Sequence, residues 1–207
     1  MIKADVTVIG TIKRSAAIRN DKNNKPYVSF TMGVVQNDQK NKGQEVELFV
    51  TIPSGQQGDL PRYVEGKRVA VQGTLDIRKR NDKLVFYLTA DDIQAKTASD
   101  LDAISGTLHF RGHLRNENVY EERTDRKGNP FIMFYAYSSE KVGDSFVSTW
   151  IRFLRFPEKG EGIESIKPQW IRPKVRATID GDLQVSVYEG DVRLSCLVKS
   201  MEEYVKQ

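Results

Sequence analysis

Cysteine is almost missing from this chain: Cys196 is the one thiol among 207 residues. A single thiol excludes an intrachain disulfide and any cysteine-based metal knuckle, and it fits a reducing, cytoplasmic location. Histidine is nearly as scarce. His109 and His113 lie in a segment that reads as strand, where about 3.3 Å per residue sets their attachment points roughly 13 Å apart. One metal ion does not bridge that distance. No Gly-x-x-x-x-Gly-Lys-Ser/Thr loop occurs, which argues against an ATP-driven motor. The neighbouring carboxylates Asp91-Asp92 and Glu202-Glu203 fall on opposite faces of a strand, so they form no metal pair. Apolar runs stay well short of the roughly 18 residues of a membrane span. Met1-Ile2-Lys3-Ala4-Asp5 does not open a signal peptide. No enzyme, cofactor or metal is expected from this inventory, and Cys196, inside the apolar run Leu194–Val198, reads as a small core residue.

What is present is β structure and an uneven charge. The net charge is +4 with 29% charged residues. Residues 1–98 hold 16 Lys/Arg against 11 Asp/Glu, whereas residues 99–207 hold 16 against 17. A basic first half suits a polyanion, because each neutralised phosphate releases counterions. Strand signals cover Asp5–Ile12, Tyr27–Val35, Glu45–Ile52, Arg68–Ile77 and Leu84–Ile93, rich in Val, Ile, Thr and Phe. Turn formers separate them at 20–25, 41–43 and Asn81-Asp82. A weakly helical stretch, Gly58–Glu65, follows the third strand. Five strands with a short helical insert in that place are the element order of an OB-fold, a five-stranded Greek-key β-barrel.

The second half repeats the first. Thr7–Ile12 aligns with His109–Leu114 at an offset of 102, Lys25–Phe30 with Asn129–Phe134 at 104, and Ala70–Leu75 with Thr178–Leu183 at 108. The drift falls in loops, where insertions are tolerated. The expectation is all-β, two tandem OB-folds, with domains at 1–98 and 99–207 joined through Lys96-Thr97-Ala98-Ser99-Asp100. Gly10, Gly73, Gly112 and Gly181 share a position type within strands, where glycine relieves crowding.

Val8-Ile9-Gly10-Thr11-Ile12, followed by the run from Tyr63 through Gly66 and Gly73 to Leu75, resembles the bacterial single-stranded DNA-binding protein family. The resemblance covers nearly all of residues 5–93 and is looser over 105–205, where Trp170-Ile171-Arg172-Pro173 replaces the aromatic-to-glycine run. It implies single-stranded DNA as partner. Because that family usually gathers four OB-folds around the DNA, two copies per chain imply a homodimer. The family's glycine- and proline-rich tail with an acidic tip is not matched by the ending Ser200–Gln207, which puts tail-based recruitment of partners in doubt and is compatible with a phage, plasmid or mobile-element variant.

Binding single strands without sequence preference needs aromatic faces for bases and cations for phosphates. Alternation puts Val28, Phe30, Met32 and Val34 inward and Tyr27, Ser29 and Thr31 outward. In the repeat, Ile132, Phe134 and Ala136 face in, and Phe131, Met133, Tyr135 and Tyr137 face out. With Ile151 and Phe153 inward, Trp150 and Arg152 share the outer face, and the same register sets Phe49 where Trp150 lies and Thr51 where Arg152 lies. The resembled family carries a stacking tryptophan and, two residues on, an arginine in this strand; Trp150 and Arg152 match that arrangement. Cation candidates are the hairpin residues Arg78, Lys79, Arg80 and Lys83, the loop residues Arg14, Arg19, Lys22 and Lys25, and Arg123, Arg126 and Lys127 in the repeat, beside Tyr120. The hairpin Gln184–Asp191 has no cation. Two other readings stay open: a tandem OB-fold adaptor that binds protein through the aromatic row and the acidic half, and an RNA or tRNA binder.

Overall fold

Alternation of apolar and polar residues begins at Ile2, and it builds a first strand longer than a barrel core requires. The computed structural model describes residues 1–36, 43–95 and 99–205. In it β1 spans Ile2–Asn20, β2 Pro26–Gln36, β3 Gln44–Ile52, β4 Arg68–Arg80 and β5 Lys83–Gln94, with a 3-10 turn at Gln57–Arg62 after β3. Within the turns and linker expected above, residues 41 and 42 and residues 96–98 lie outside the described residues, as do Lys206 and Gln207. β1 pairs antiparallel with both β2 and β4, β2 pairs with β3, and β4 with β5. The circuit closes where β3 and β5 run parallel, Leu48 beside Phe86. The order β1-β2-β3-β5-β4 and back to β1 is that of an OB-fold barrel.

The rest of the chain repeats the circuit, with the counterpart of β1 split into two strands. Its elements are β6 at Ala103–Leu114, β7 at Tyr120–Thr124, β8 at Pro130–Val142, β9 at Ser145–Arg155, a 3-10 turn at Ile163–Ile166, β10 at Arg176–Tyr188 and β11 at Asp191–Glu203. The order β6-β8-β9-β11-β10 closes on β6, again with one parallel step, Arg152 beside Ser195. β7 pairs with the start of β8 as the end of β1, Ala17–Asn20, pairs with the start of β2, so it stands where the far end of β1 does. The chain divides into two compact units. One is Lys3–Gly106 with Val185–Val192; the other is Met1–Ile2, Thr107–Gln184 and Arg193–Gln207. They are called the first and second barrel below.

The inward sets fill both cores. Val28, Phe30, Met32 and Val34 are buried with Leu48, Val50, Val71, Leu75, Phe86 and Leu88. Ile132, Phe134, Ala136, Ile151 and Phe153 are buried with Phe110, Ile179 and Cys196, and Phe153 packs at 5.0 Å from Phe110 and 5.2 Å from Phe134. Each buried aromatic or aliphatic side chain contributes about 1.5–3 kcal/mol. Two residues expected on the outer face are buried. Thr31 is a short side chain flanked by Arg14 on β1 and Phe49 on β3. Met133 is flanked by Glu121 on β7 and Leu154 on β9.

The crowding inferred for the strand glycines is measurable. A Cβ on Gly73 would stand 2.0 Å from the Thr89 carbonyl oxygen, and one on Gly181 would stand 2.1 Å from that of Leu197. The same clash appears at Gly10 against the Gly33 oxygen and at Gly112 against that of Tyr137. These pairs fix which residues of the two barrels are equivalent.

The first hairpins also match in atomic detail. Asp21 Oδ1 accepts from the amides of Asn23 and Lys25, and Asp125 Oδ1 accepts from those of Lys127 and Asn129, all at 2.8 Å. The residue that must turn with positive φ is Asn24 in one and Gly128 in the other.

Candidate nucleic-acid interface

In the first barrel the outward side chains fall into transverse rows. Thr31 lies opposite Arg14 on one side and Phe49 on the other; Phe49 lies beside Tyr87, and Tyr87 opposite Asp76. One row therefore reads Arg14, Thr31, Phe49, Tyr87, Asp76 across all five strands. Ala17, Ser29, Thr51 and Thr89 make the next, and Arg19 with Tyr27 a third. Small residues between larger ones leave a groove of about 270 Å³, lined by Arg14, Arg19, Tyr27, Phe49 and Tyr87. The rings of Phe49 and Tyr87 stack at 5.7 Å, yet remain 41% and 40% exposed. Exposed, co-planar rings at the rim of a groove present π-faces for which a planar ligand is the natural complement.

Arg78, Arg14 and Lys13, on the same outer face, each have a local anchor. The Arg78 guanidinium lies 5.8 Å from the Tyr87 ring centre and is held by Asp76 at 2.6 Å. Arg14 approaches Glu47 at 3.8 Å, and Lys13 meets Glu45 at 2.8 Å. Exposed ion pairs of this kind are worth about 0–1 kcal/mol, so a phosphate competes with the carboxylate for the cation. Arg14 and Arg19, expected in a loop, both sit on β1, which continues past two bulges to Asn20. The β4–β5 hairpin turns on Asn81 and Asp82, both at positive φ, as a two-residue primed turn requires. Its pairing puts Arg78, Arg80 and Lys83 on the face of Tyr87 and sends Lys79 to the opposite face with Leu84, where it bonds Asp82 at 3.1 Å. Arg80 donates to the Lys79 carbonyl at 2.7 Å. Lys25 closes the β1–β2 turn through its amide. Tyr87 is not among the sequence candidates, although alternation signals it, since Phe86, Leu88 and Ala90 form the buried set of β5.

The second barrel uses a different slot. Tyr137 lies opposite His113 on β6 and opposite Trp150 on β9, and the three rings form a ladder with centroid spacings of 5.7 and 4.7 Å. Trp150 is 49% exposed. Burial, and then the Arg176 charge, lower the His113 pKa below the usual imidazole value, which keeps the ring neutral as a stacking surface. In the adjacent row Tyr135 lies opposite Arg152 and beneath the Arg115 guanidinium at 5.9 Å. His113, on β6, and Arg115, just past its end, are likewise absent from the sequence candidates; their signal is a spacing of two residues.

Backbone pairing corrects the expected correspondence between barrels. Gly10 abuts Gly33 and Gly112 abuts Tyr137, so Tyr137 occupies the place of Gly33, Trp150 that of Glu47, and Arg152 that of Phe49. The expected alignment of β3 with β9 is out by two residues, one full alternation, which preserves inside and outside and so leaves no trace in the hydrophobic pattern, while the offsets of 102, 104 and 108 agree with the pairing. The aromatic pairs of the two barrels therefore occupy slots roughly 7 Å apart along equivalent strands.

Other candidates stand away from these rows. Phe131 stacks on Phe156 at 4.9 Å and so has its own partner. Arg123 lies on β7, held by Glu121 at 2.6 Å. Arg126 and Lys127 are exposed in the β7–β8 turn. His109 pairs with Asp180 at 2.7 Å. Among the described residues, no group of three or more His, Cys, Asp or Glu converges as metal ligands, and no helix is long and apolar enough to cross a membrane.

No protein-family model and no curated protein matches the sequence. Solved structures similar to this chain include the wild-type single-stranded DNA-binding protein from Thermus aquaticus, 14% identical, covering 99% of this chain and 94% of that one with a TM-score of 0.48. The small single-stranded DNA-binding protein from Streptomyces coelicolor is 20% identical and covers 46% of this chain and 96% of that one, with a TM-score of 0.36. The mitochondrial protein Rim1 of S. cerevisiae is 18% identical over 47% of this chain and 91% of that one, again at 0.36.

Proposed function

We propose that this chain is a non-enzymatic protein that binds single-stranded DNA without sequence preference and protects it during replication, recombination or repair in the cytoplasm. The observation that carries the reading is the exposed stacked pair Phe49–Tyr87, set in a groove with Arg14 on one side and Arg78 on the other. Bases stack on such rings and phosphates bind such guanidiniums, whatever the sequence. Tyr137 and Trp150 give the second barrel an equivalent platform, with Arg152 and Arg115 as its cations. On this reading the chain comprises two OB-fold domains, residues 1–98 and 99–207, and pairs as a homodimer to offer four barrels.

Titration with oligo-dT tests it. Intrinsic fluorescence should be quenched, saturate at roughly 4–16 nucleotides per engaged barrel, and weaken with salt. Unchanged emission and mobility at low salt would refute DNA binding. A protein-binding role draws support from Phe146, 74% exposed on β9; a captured partner lost in Phe146→Ser, with oligo-dT binding absent from the parent protein, would favour that reading instead.

A further inference from the structure

Many cations in this protein have a carboxylate: Lys13 has Glu45, Arg14 Glu47, Arg78 Asp76, Arg123 Glu121, Arg172 Glu203 and Lys199 Asp182. Arg111 on β6 and Arg176 on β10 do not. Among the described residues neither forms an ion pair, and both guanidiniums converge on one ring, that of Tyr204, at 4.6 and 4.4 Å from its centre. The Tyr204 backbone is tied beside β10, where its amide donates to the Arg176 carbonyl at 2.8 Å. The two charges are thus no farther apart than the sum of those ring distances. An aromatic quadrupole offsets such repulsion only in part. Arg111 Nε, moreover, is buried without a hydrogen-bond acceptor, so no acceptor among the described residues holds that edge of the guanidinium.

The location supplies the source of an anion. Arg176 lies directly opposite His113, and Arg111 stands two residues before His113 on the same face of β6. His113 is the last ring of the Trp150–Tyr137–His113 ladder. A strand whose bases stack along the ladder carries its backbone onto the two arginines.

We propose that Arg111 and Arg176, with Tyr204 as their support, form a phosphodiester site that continues the stacking ladder of the second barrel. The proposal rests on the single-strand reading above and adds the path the backbone takes across β6 and β10. Planar guanidinium forks suit the tetrahedral oxygens of a phosphate, and the ring holds both forks in place at low entropic cost.

A salt series separates the two claims. Wild type, Trp150→Ala and the double variant Arg111→Gln/Arg176→Gln are each titrated with oligo-dT. Trp150→Ala should weaken binding with the salt slope unchanged, since a ring carries no charge. The double variant should show a log–log slope shallower by about 0.7, the increment for one phosphate on a single strand. A wild type that ignores oligo-dT removes the functional reading and this site with it. A wild type that binds, with an unaltered slope in the double variant, overturns the site alone. Should the double variant fail to fold, the Nε–Hε resonances of Arg111 and Arg176 in the intact protein decide: shifts on adding oligo-dT support the site, and unmoved resonances in a saturated complex exclude it.

Discussion

At the residue scale, the sharpest constraints are close backbone approaches rather than conformational preferences. Gly73 has no Cβ because the Thr89 carbonyl occupies its place, 2.0 Å from where one would stand. Neither atom is the free end of a side chain, so the strands must part. Gly73→Ala should therefore cost about 1–3 kcal/mol, as overpacking does, read from the midpoint of chemical denaturation; a loss near zero would mean the β4–β5 bulge absorbs the methyl. Cys196 gives the complementary case. Burial pushes its thiol up to about 12, so at neutral pH the nucleophilic thiolate is nearly absent. A disulfide reagent should label Cys196 only as fast as the second barrel opens, and labelling in native buffer at the rate of the denatured chain would contradict that burial. Trp150 is the residue whose loss should matter most to binding. Base–aromatic stacking is worth about 1–3 kcal/mol per base, so Trp150→Ala should raise the Kd for oligo-dT by roughly tenfold or more.

At the scale of elements, hairpins decide which charges share a face. Arg78, Arg80 and Lys83 point with Tyr87, while Lys79 points away toward Asp82. Arg78→Ala with Arg80→Ala should flatten the salt dependence of DNA binding by about 0.7 for each phosphate left without its cation, whereas Lys79→Ala should leave the slope near that of the parent. Equal effects from both would dissolve the distinction between faces. The sequence marks this hairpin by its four cations but does not sort them, because sorting requires the register of the turn. The hairpin between β7 and β8 has a pH dependence of its own. Hydrogen bonds from the Asn129 side chain and amide hold the Asp125 carboxyl below the ordinary carboxylate value. The turn is therefore fully supported above that ordinary value, and the support is lost as the pH falls through the lowered one. The protection factors of the Lys127 and Asn129 amides should fall across that acid window, and in Asp125→Ala they should be low at every pH.

At the scale of the whole molecule, the two barrels share a strand circuit and divide their surfaces differently. The first sets an aromatic pair beside Arg14 and Arg78, each in a weak surface ion pair; the second sets a three-ring ladder beside Arg111, Arg115, Arg152 and Arg176, none of which has a carboxylate partner among the described residues. Sedimentation tests the homodimer proposed for this arrangement, and a strict monomer at working concentrations would rule out four barrels per assembly. The all-β class, the OB-fold element order, the inward residues and the recurring glycines were all determined by the sequence itself. Each is set by local alternation and by the one residue type that lacks a Cβ, and these leave a mark on the chain wherever they act. The tertiary structure alone decided which aromatic meets which. Tyr87 joins Phe49 only because β3 and β5 run parallel, and Trp150 aligns with Glu47 rather than Phe49 only because pairing, not pattern, sets register. A shift by two residues keeps every side chain on its face, so hydrophobic periodicity is blind to it, while a stacked ring pair is not.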